Sequence, residues 1–356
     1  MPPPPTAKMK STSAIKPRQT MRGHTAWIRG VAHLPDGRRI ITSSYDGSLR
    51  LWDVKSGVQI GNGWCDDGKL EVWTMALSPN GKTVASGSND GKVRLWDVET
   101  EKVVAKWTGH TYGVRSLCWS ADGERVVSGS KDGTIRVWDV ERGDTVLGPI
   151  NTGHWIVTAV IYSPDTTKIA TGGYDETALK IWDAKTGNLL STIKHESEVW
   201  SLTWTSDQKK VITPSYCSIR IFDTATWQQI AILEGHTSHV YSLSLFHNDR
   251  LLTSGSHDRT ARLWNLDTNL PVGPPLQHQN TIQSAAISAD GKLLVTGCDD
   301  ENAYVWDIHT ILKDAGSEDL LSIHDVNTST SMCFVTTLTM FTFRCPWTDL
   351  NRRYGP

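Results

Sequence analysis

Charge of one sign is missing from this chain. Its 36 basic and 38 acidic side chains nearly cancel, leaving a net charge of −2. That balance supplies no bulk field to draw in nucleic acid or an anionic membrane surface. Long apolar runs are missing as well. The longest apolar-leaning stretch, Met332 to Phe343, is interrupted by four threonines and is too short to cross a bilayer as a helix. The N-terminus opens on Met1 and four prolines with no apolar segment behind them, which reads against a secretory signal. Six cysteines, at 65, 118, 217, 298, 333 and 345, form no C-x-x-C pair and have no histidine at zinc spacing, so neither a disulfide framework nor a metal centre is expected. Cys118 and Cys298 sit in apolar runs, where a thiol behaves as a small hydrophobe. A reducing compartment, the cytoplasm and also the nucleus, is the simplest setting.

Catalytic signatures are equally scarce. There is no H-E-x-x-H, paired-carboxylate or nucleophile-elbow motif, and hence no expected cofactor. Gly87-Ser88-Asn89-Asp90-Gly91-Lys92 has a superficial likeness to a phosphate loop, but its spacing is wrong. Phenylalanine is rare, with 5 residues, whereas tryptophan numbers 16 and glycine 29. Tryptophan at that frequency points to one structural position used repeatedly.

The repetition is explicit. Trp-Asp or a close variant occurs at Trp52-Asp53, Trp96-Asp97, Trp138-Asp139, Trp182-Asp183, Phe222-Asp223, Trp264-Asn265 and Trp306-Asp307, at spacings of 44, 42, 44, 40, 42 and 42. A period in this range marks a repeat architecture. A turn of the Pro-Asp-Gly kind recurs at Pro35, Pro79, Ala121 and Ala289, and a Ser-Gly-Ser-x-Asp-Gly kind runs Ser86–Gly91, Ser128–Gly133 and Ser254–Arg259. In the third repeat, Val114–Trp119, Arg125–Ser130 and Thr134–Val140 read as strands joined by Ala121-Asp122-Gly123 and Lys131-Asp132-Gly133. Val103–Trp107 reads as a further strand just upstream. Four strands in about 42 residues leave no room for helical crossovers, so the sheets are antiparallel. One such sheet cannot cover both its faces, and stacking seven radially does so.

The residues quoted resemble the WD40 repeat over roughly 17–309. The fold this implies is all-β: a seven-bladed β-propeller of four-stranded antiparallel blades. The resemblance also implies that a recurring His, Ser or Thr, Asp and Trp form a hydrogen-bonded network inside each blade. Complete sets are His24, Thr42, Asp46 and Trp52; His110, Ser128, Asp132 and Trp138; His154, Thr171, Asp175 and Trp182; His236, Ser254, Asp258 and Trp264; and His278, Thr296, Asp300 and Trp306. Ser, His and Asp together suggest a hydrolase triad, but a set repeated five times in register is structural. Blade two has Gly68 in place of His. Blade five keeps His195 and Thr213, lacks the Asp, and has Phe222 for Trp. It is therefore expected to be the least rigid blade.

The strand Arg18–Met21 precedes the first repeat, and the last repeat supplies only three strands. The ring is expected to close by the N-terminal strand pairing beside Ala303–Trp306, which removes a free edge. Outside the ring, residues 1–16 are Pro-, Lys- and Ser-rich and read as a disordered tail, although its prolines are also a ligand for a Pro-recognising domain. Residues 310–356 are a non-repeat extension: Ile311–Ile323 is a candidate short helix, and the remainder has no periodicity that would bury it.

Function in such a frame lives in its variable positions. Those opening the inner strands are Arg29, Trp73, Arg115, Thr158, Trp200, Tyr241 and Gln283. Those preceding the hairpin Asp are Tyr45, Asn89, Lys131, Tyr174, Tyr216, His257 and Asp299. Six of these fourteen are Trp or Tyr, the residue types that dominate interface hot spots. Trp73 and Met75 read as an apolar anchor, and Arg29, Arg115 and Lys131 as readers of acidic or phosphorylated groups. The resemblance likewise implies a non-catalytic scaffold that binds proteins or peptides on this face within a multiprotein complex, with no membrane partner. Two alternatives stand beside it: an enzyme with a site in the central channel, and local RNA binding through base stacking. The aromatics as mere channel caps are the bland alternative. Trp119 and Trp204, later on their strands, read as core.

Overall fold

The computed structural model describes residues 15–66, 70–174 and 179–322. Among these, 28 strands group into seven sheets of four antiparallel strands each. Blade three shows how the sequence makes them. Its strands run Val114–Trp119, Arg125–Ser130, Thr134–Asp139 and Thr145–Asn151, from the axis outward. The first turn is fixed by Asp122, whose carboxylate accepts from the Ser120 hydroxyl and the Glu124 amide. The second turns at Gly133, where φ is +76° and an added Cβ would lie 2.6 Å from the His154 carbonyl oxygen of the next blade. Val103–Trp107 is the outer strand of blade two.

Blades pack through a repeated glycine. A Cβ placed on Gly87, Gly129, Gly255 or Gly297 would come within 2.5–2.6 Å of Val114, Val157, Ile282 or Ile28, each on the next blade's inner strand, and one on Gly172 would meet Val199 in the segment leading into blade five's. Each pair joins adjacent blades, Gly297 with Ile28 joining blade seven to blade one. Backbone amides add stitches between inner strands: Val160 donates to Ser116 Oγ at 3.0 Å and Ala285 to Ser242 Oγ at 3.0 Å. The ring closes as the sequence predicts. Gln19–Arg22 pairs antiparallel with blade seven, Gln19 opposite Val305 and Arg22 opposite Asn302, and Met21 between them is fully buried.

At this seam blade one carries an unusual residue. Its inner strand places His33 where the others have Leu77, Trp119, Tyr162, Trp204, Leu245 and Ile287. His33 is 3% exposed, and neither ring nitrogen has a well-formed hydrogen bond. It lies beside the Ala286 backbone and within the field of Asp290, and burial pushes its pKa down to about 4.

Blade five departs from the others. Its inner strand pairs regularly only over Thr203–Trp204, opposite Ile212 and Val211. The neighbouring strand ends in Pro214, at the position that is glycine in five other blades. Proline has no N–H to give to the ladder. Amides of this inner strand are therefore expected to exchange with solvent faster than those of Val114–Trp119. Hydrogen exchange read by mass spectrometry checks this, and uniform protection across the blades would refute it.

After blade seven the chain forms an α-helix, Ile308–Asp314, and a 3₁₀ turn, Glu318–Leu321. The helix starts earlier than the composition of 311–323 suggests, because Asp307, the last residue of the Trp-Asp pair, also caps it by accepting from the Thr310 amide. Gly316, with φ +65°, lies just past its end. Ile308, Ile311, Leu312 and Leu320 bury against blades six and seven. Arg250, itself held by Asp267 of blade six, ties the turn down through the Asp319 carboxylate. The tail 1–14 and residues 323–356 lie outside the described residues.

Candidate functional site

Inside the blades, the polar network runs in one direction. In blade one the Trp52 indole donates to Thr42 Oγ1 (2.8 Å), which lies 2.7 Å from His24 Nε2, while His24 Nδ1 lies 2.7 Å from Asp46. The Thr42 hydroxyl therefore donates to Nε2, and Nδ1–H donates to the carboxylate. Blades three and six repeat this with His110, Ser128, Asp132 and Trp138, and with His236, Ser254, Asp258 and Trp264. Burial lowers the His24 and His236 pKa values more than the neighbouring carboxylates raise them. Burial alone would raise Asp46, but hydrogen bonds from His24, Ser48 and the Thr25 amide outweigh it and hold the carboxyl well below its usual range.

The other blades vary the theme. In blade four Trp182 and His154 both meet Thr171, while Asp175 lies outside the described residues, as does Gly68 of blade two. Blade two substitutes an ionic cluster: Arg94, 4% exposed, pairs with Asp66 and Asp90, and Trp96 still donates to Ser86. In blade five His195 holds Thr213 and donates to the Ser197 carbonyl. Blade seven corrects the expected set. Trp306 and His278 meet Thr296, but Asp300 does not take His278. It accepts the Tyr304 hydroxyl at 2.5 Å, and His278 Nδ1 donates to the Leu276 carbonyl. Asp132→Ala is thus expected to cost about 1–3 kcal/mol by stranding the His110 N–H, and Asp300→Ala clearly less. Thermal melts of the two variants measure the difference, and equal losses would contradict the blade-seven arrangement.

The hairpins and the loops leading into the inner strands lie at one end of the ring. The amides of Tyr45, Asn89, Lys131, Tyr174, His257 and Asp299 each donate to the carbonyl of the lead-in residue of their own blade, for example Tyr45 to Trp27 and His257 to His239. Around this end runs a train of aromatic contacts. Trp27 stacks on Tyr45 (5.7 Å) and Tyr45 meets Trp73 (6.1 Å). On the far side Trp155, Tyr174, Trp200, Tyr241 and His257 touch in succession at 5.9–6.4 Å. Tyr216 packs edge-on to His239 at 4.8 Å.

The predicted positions divide by depth. Trp73, Trp200, Tyr241 and Gln283 are buried floor; Tyr45, Lys131 and Tyr174 are half-buried; Tyr216 and His257 are exposed. Arg29 and Arg115 are buried as well. Arg29 donates to Gln283 Oε1 (2.7 Å) and sits 4.6 Å from the Tyr45 ring centroid, and Gln283 passes a bond to Asp299. Arg115 lies 3.1 Å from the Trp73 centroid. Burial presses the Arg115 pKa downward, with Arg29 adding to the effect. Met75 does not extend the Trp73 anchor toward solvent. At 1% exposure it packs into the core shared by blades one and two, because a register shift between Val72 and Thr74 breaks the alternation that would otherwise set it beside Trp73. Trp119 and Trp204 are core.

Over residues 15–53, 62–97, 101–139, 147–183, 187–223, 227–265 and 274–307 the chain matches the family described as "WD domain, G-beta repeat". The chain belongs to the WD40 repeat family. Among curated WD40 relatives it is similar to the target of rapamycin complex subunit LST8 of Saccharomyces cerevisiae, 32% identical over 32% of this chain and 41% of that protein. It is also similar to the yeast APC/C activator protein CDH1, 30% identical over 31% of this chain and 20% of the relative. Human apoptotic protease-activating factor 1 matches at 25% identity over 75% of this chain and 17% of its own length. The matches thus span less than half of these relatives.

Within this WD40 ring, sequence reasoning missed three exposed aromatics of the face. Trp155 is 76% exposed, Tyr112 61% and Trp27 38%. All three follow a blade histidine by one to three residues, so the histidine register itself was the available signal. Glu71, which accepts from the Trp73 indole at 2.8 Å, was missed too. Among the described residues no cluster of three metal-ligating side chains occurs, and no helix is long and apolar enough to cross a membrane.

Proposed function

We propose that this propeller is a non-catalytic scaffold that seats a protein or peptide partner on the face bearing the lead-in loops and hairpins. One observation carries the reading: two trains of aromatic contacts whose buried rings are pinned by their own neighbours, while on the same face Trp27, Tyr112, Trp155 and Tyr216 present large apolar area to solvent. Rigid aromatics on a pre-formed floor lose little entropy on binding. Relatives whose names make them a complex subunit or an activator support a partner-binding role within a larger assembly. Acidic or phosphorylated groups on the partner would meet Lys131 and the rim above Arg115. Free thiols at Cys65, Cys118, Cys217 and Cys298 suit the cytoplasm or the nucleus.

Trp27, Trp155 and Tyr216 are the positions to test, since their exposure lets alanine replace them without emptying the core. Affinity capture from native extract is expected to recover specific proteins with the parent chain and to lose them with the triple alanine variant, shown folded by circular dichroism. Retention of the same proteins by the variant would move the binding surface elsewhere. Capture of RNA with steep salt dependence would favour the nucleic-acid alternative.

A further inference from the structure

The two sides of the channel mouth treat their aromatic rings differently. On the side of blades one to three, guanidiniums of the chain itself cover the rings: Arg29 over Tyr45 and Arg115 over Trp73. These pairs show that rings at this depth accept cations. On the opposite side, Trp200 meets Tyr241 at 5.9 Å and 81°, Tyr241 stacks with His239 at 8°, and Tyr216 stands edge-on to His239. Among the described residues no guanidinium or ammonium of the chain covers Trp200, Tyr216 or Tyr241. Two carboxylates bear on this side: the half-buried Glu198 acts electrostatically on both His239 and Tyr241, and Asp299 acts on Tyr241, where the buried Arg29 opposes them, while His257 also bears on His239. The Trp200 indole N–H is buried without a hydrogen-bond acceptor, a donor that a carbonyl of a bound peptide would satisfy.

An apolar side chain seated here would desolvate Glu198 without pairing it, and an anion would be repelled by it. A cation satisfies both the π faces and the carboxylate. We propose that the blade-five side of the channel mouth binds a cationic side chain, an arginine or lysine on a basic segment of the partner, with Tyr216 and Trp200 as π faces and Glu198 as counter-charge. This rests on the reading of the same face as a docking surface. It also gives the bound segment a direction, its basic residue toward blade five and any acidic residue toward blade three.

The test uses the full chain labelled with ¹⁵N at tryptophan, titrated with the peptide acetyl-Gly-Arg-Gly-amide, its lysine counterpart and its citrulline counterpart. Citrulline keeps the shape of arginine without the charge. A shift of the Trp200 indole signal, assigned through Trp200→Phe, is expected with the arginine or lysine peptide and not with citrulline. Glu198→Gln and Tyr216→Ala should each weaken that binding roughly five- to tenfold, while Val104→Ala, on the exposed outer strand of blade two, leaves it unchanged. An equal response to citrulline, no response to either cation, or undiminished binding by Glu198→Gln would overturn the proposal. If the cationic peptides fail but the Trp27, Trp155, Tyr216 variant still loses its protein partners, the docking face stands and only the cation site falls. If both fail, the face is not the docking surface.

Discussion

A chain lacking residues 1–22 is expected to melt at least about 10 °C below the full-length protein. The deletion removes the strand Gln19–Arg22, its four ladder positions on blade seven, and the bond from the Arg18 amide to the Val305 carbonyl. It uncovers the space filled by Met21, which is wholly buried against blades one and seven. Burial of a methionine contributes roughly 2–3 kcal/mol, and each lost backbone bond about 1 kcal/mol. Together these are about 5 kcal/mol, and in a domain of this size each kcal/mol moves Tm by roughly 2 °C or more. The deletion also leaves Asn302–Asp307 as a bare sheet edge, which invites aggregation. Met21→Asp, which keeps the strand but buries a carboxylate, should reproduce much of the loss. Calorimetry of both variants checks the expectation, and an unchanged Tm for the deletion would mean that the ring does not close this way.

Acid should open the protein at the same seam. His33, His195 and His278 each have a pKa held down to about 4 against an ordinary value of 6.5, chiefly by burial. Between those values the unfolded chain binds more protons than the folded one, so stability is full above about pH 6.5 and falls as pH drops toward 4. For His33 the difference amounts to about 3 kcal/mol. It is the one of the three whose ring nitrogens make no well-formed hydrogen bond. His33→Leu, which copies blade two, should therefore flatten the decline of stability between pH 6.5 and 4 while leaving stability at pH 7.5 within about 1 kcal/mol or improving it. Chemical denaturation across that pH range measures the slope. A slope unaltered by the substitution would assign the acid sensitivity to His195 and His278, since the depressed carboxylates of Asp46, Asp132 and Asp258 lose their share only below about pH 4.

The frame was readable in the sequence because each blade writes it again. Seven Trp-Asp positions, the turn aspartates and the histidine register all follow from local spacing. What was not readable depends on partners far along the chain. Nothing near Arg29 announces that Gln283, 254 positions away, will draw its guanidinium inward, and nothing near Arg115 announces the Trp73 ring. Both look like free surface cations until the blades are set side by side. Met75 misled for a simpler reason: alternation on a fully buried strand gives no contrast between its two faces. Asp300 matched the network by register, yet Tyr304, four residues on, competes for its oxygen. The helix at Ile308–Asp314 was hidden because one residue, Asp307, ends a strand and caps a helix.

The pairing of Gln19 with Val305 also sets the order of events during synthesis. The ring's first strand to leave the ribosome is the last to find its place, since its partner strand, Asn302–Asp307, is made only after blades one to six. Until then blade seven does not exist, the Gln19–Arg22 segment has nothing to pair with, and each completed blade presents an uncovered inner strand to its surroundings. Contacts of such long range make folding slow and the growing chain vulnerable to wrong pairing. The ring is therefore a structure whose stability arrives in a single late step, when its first and last strands meet.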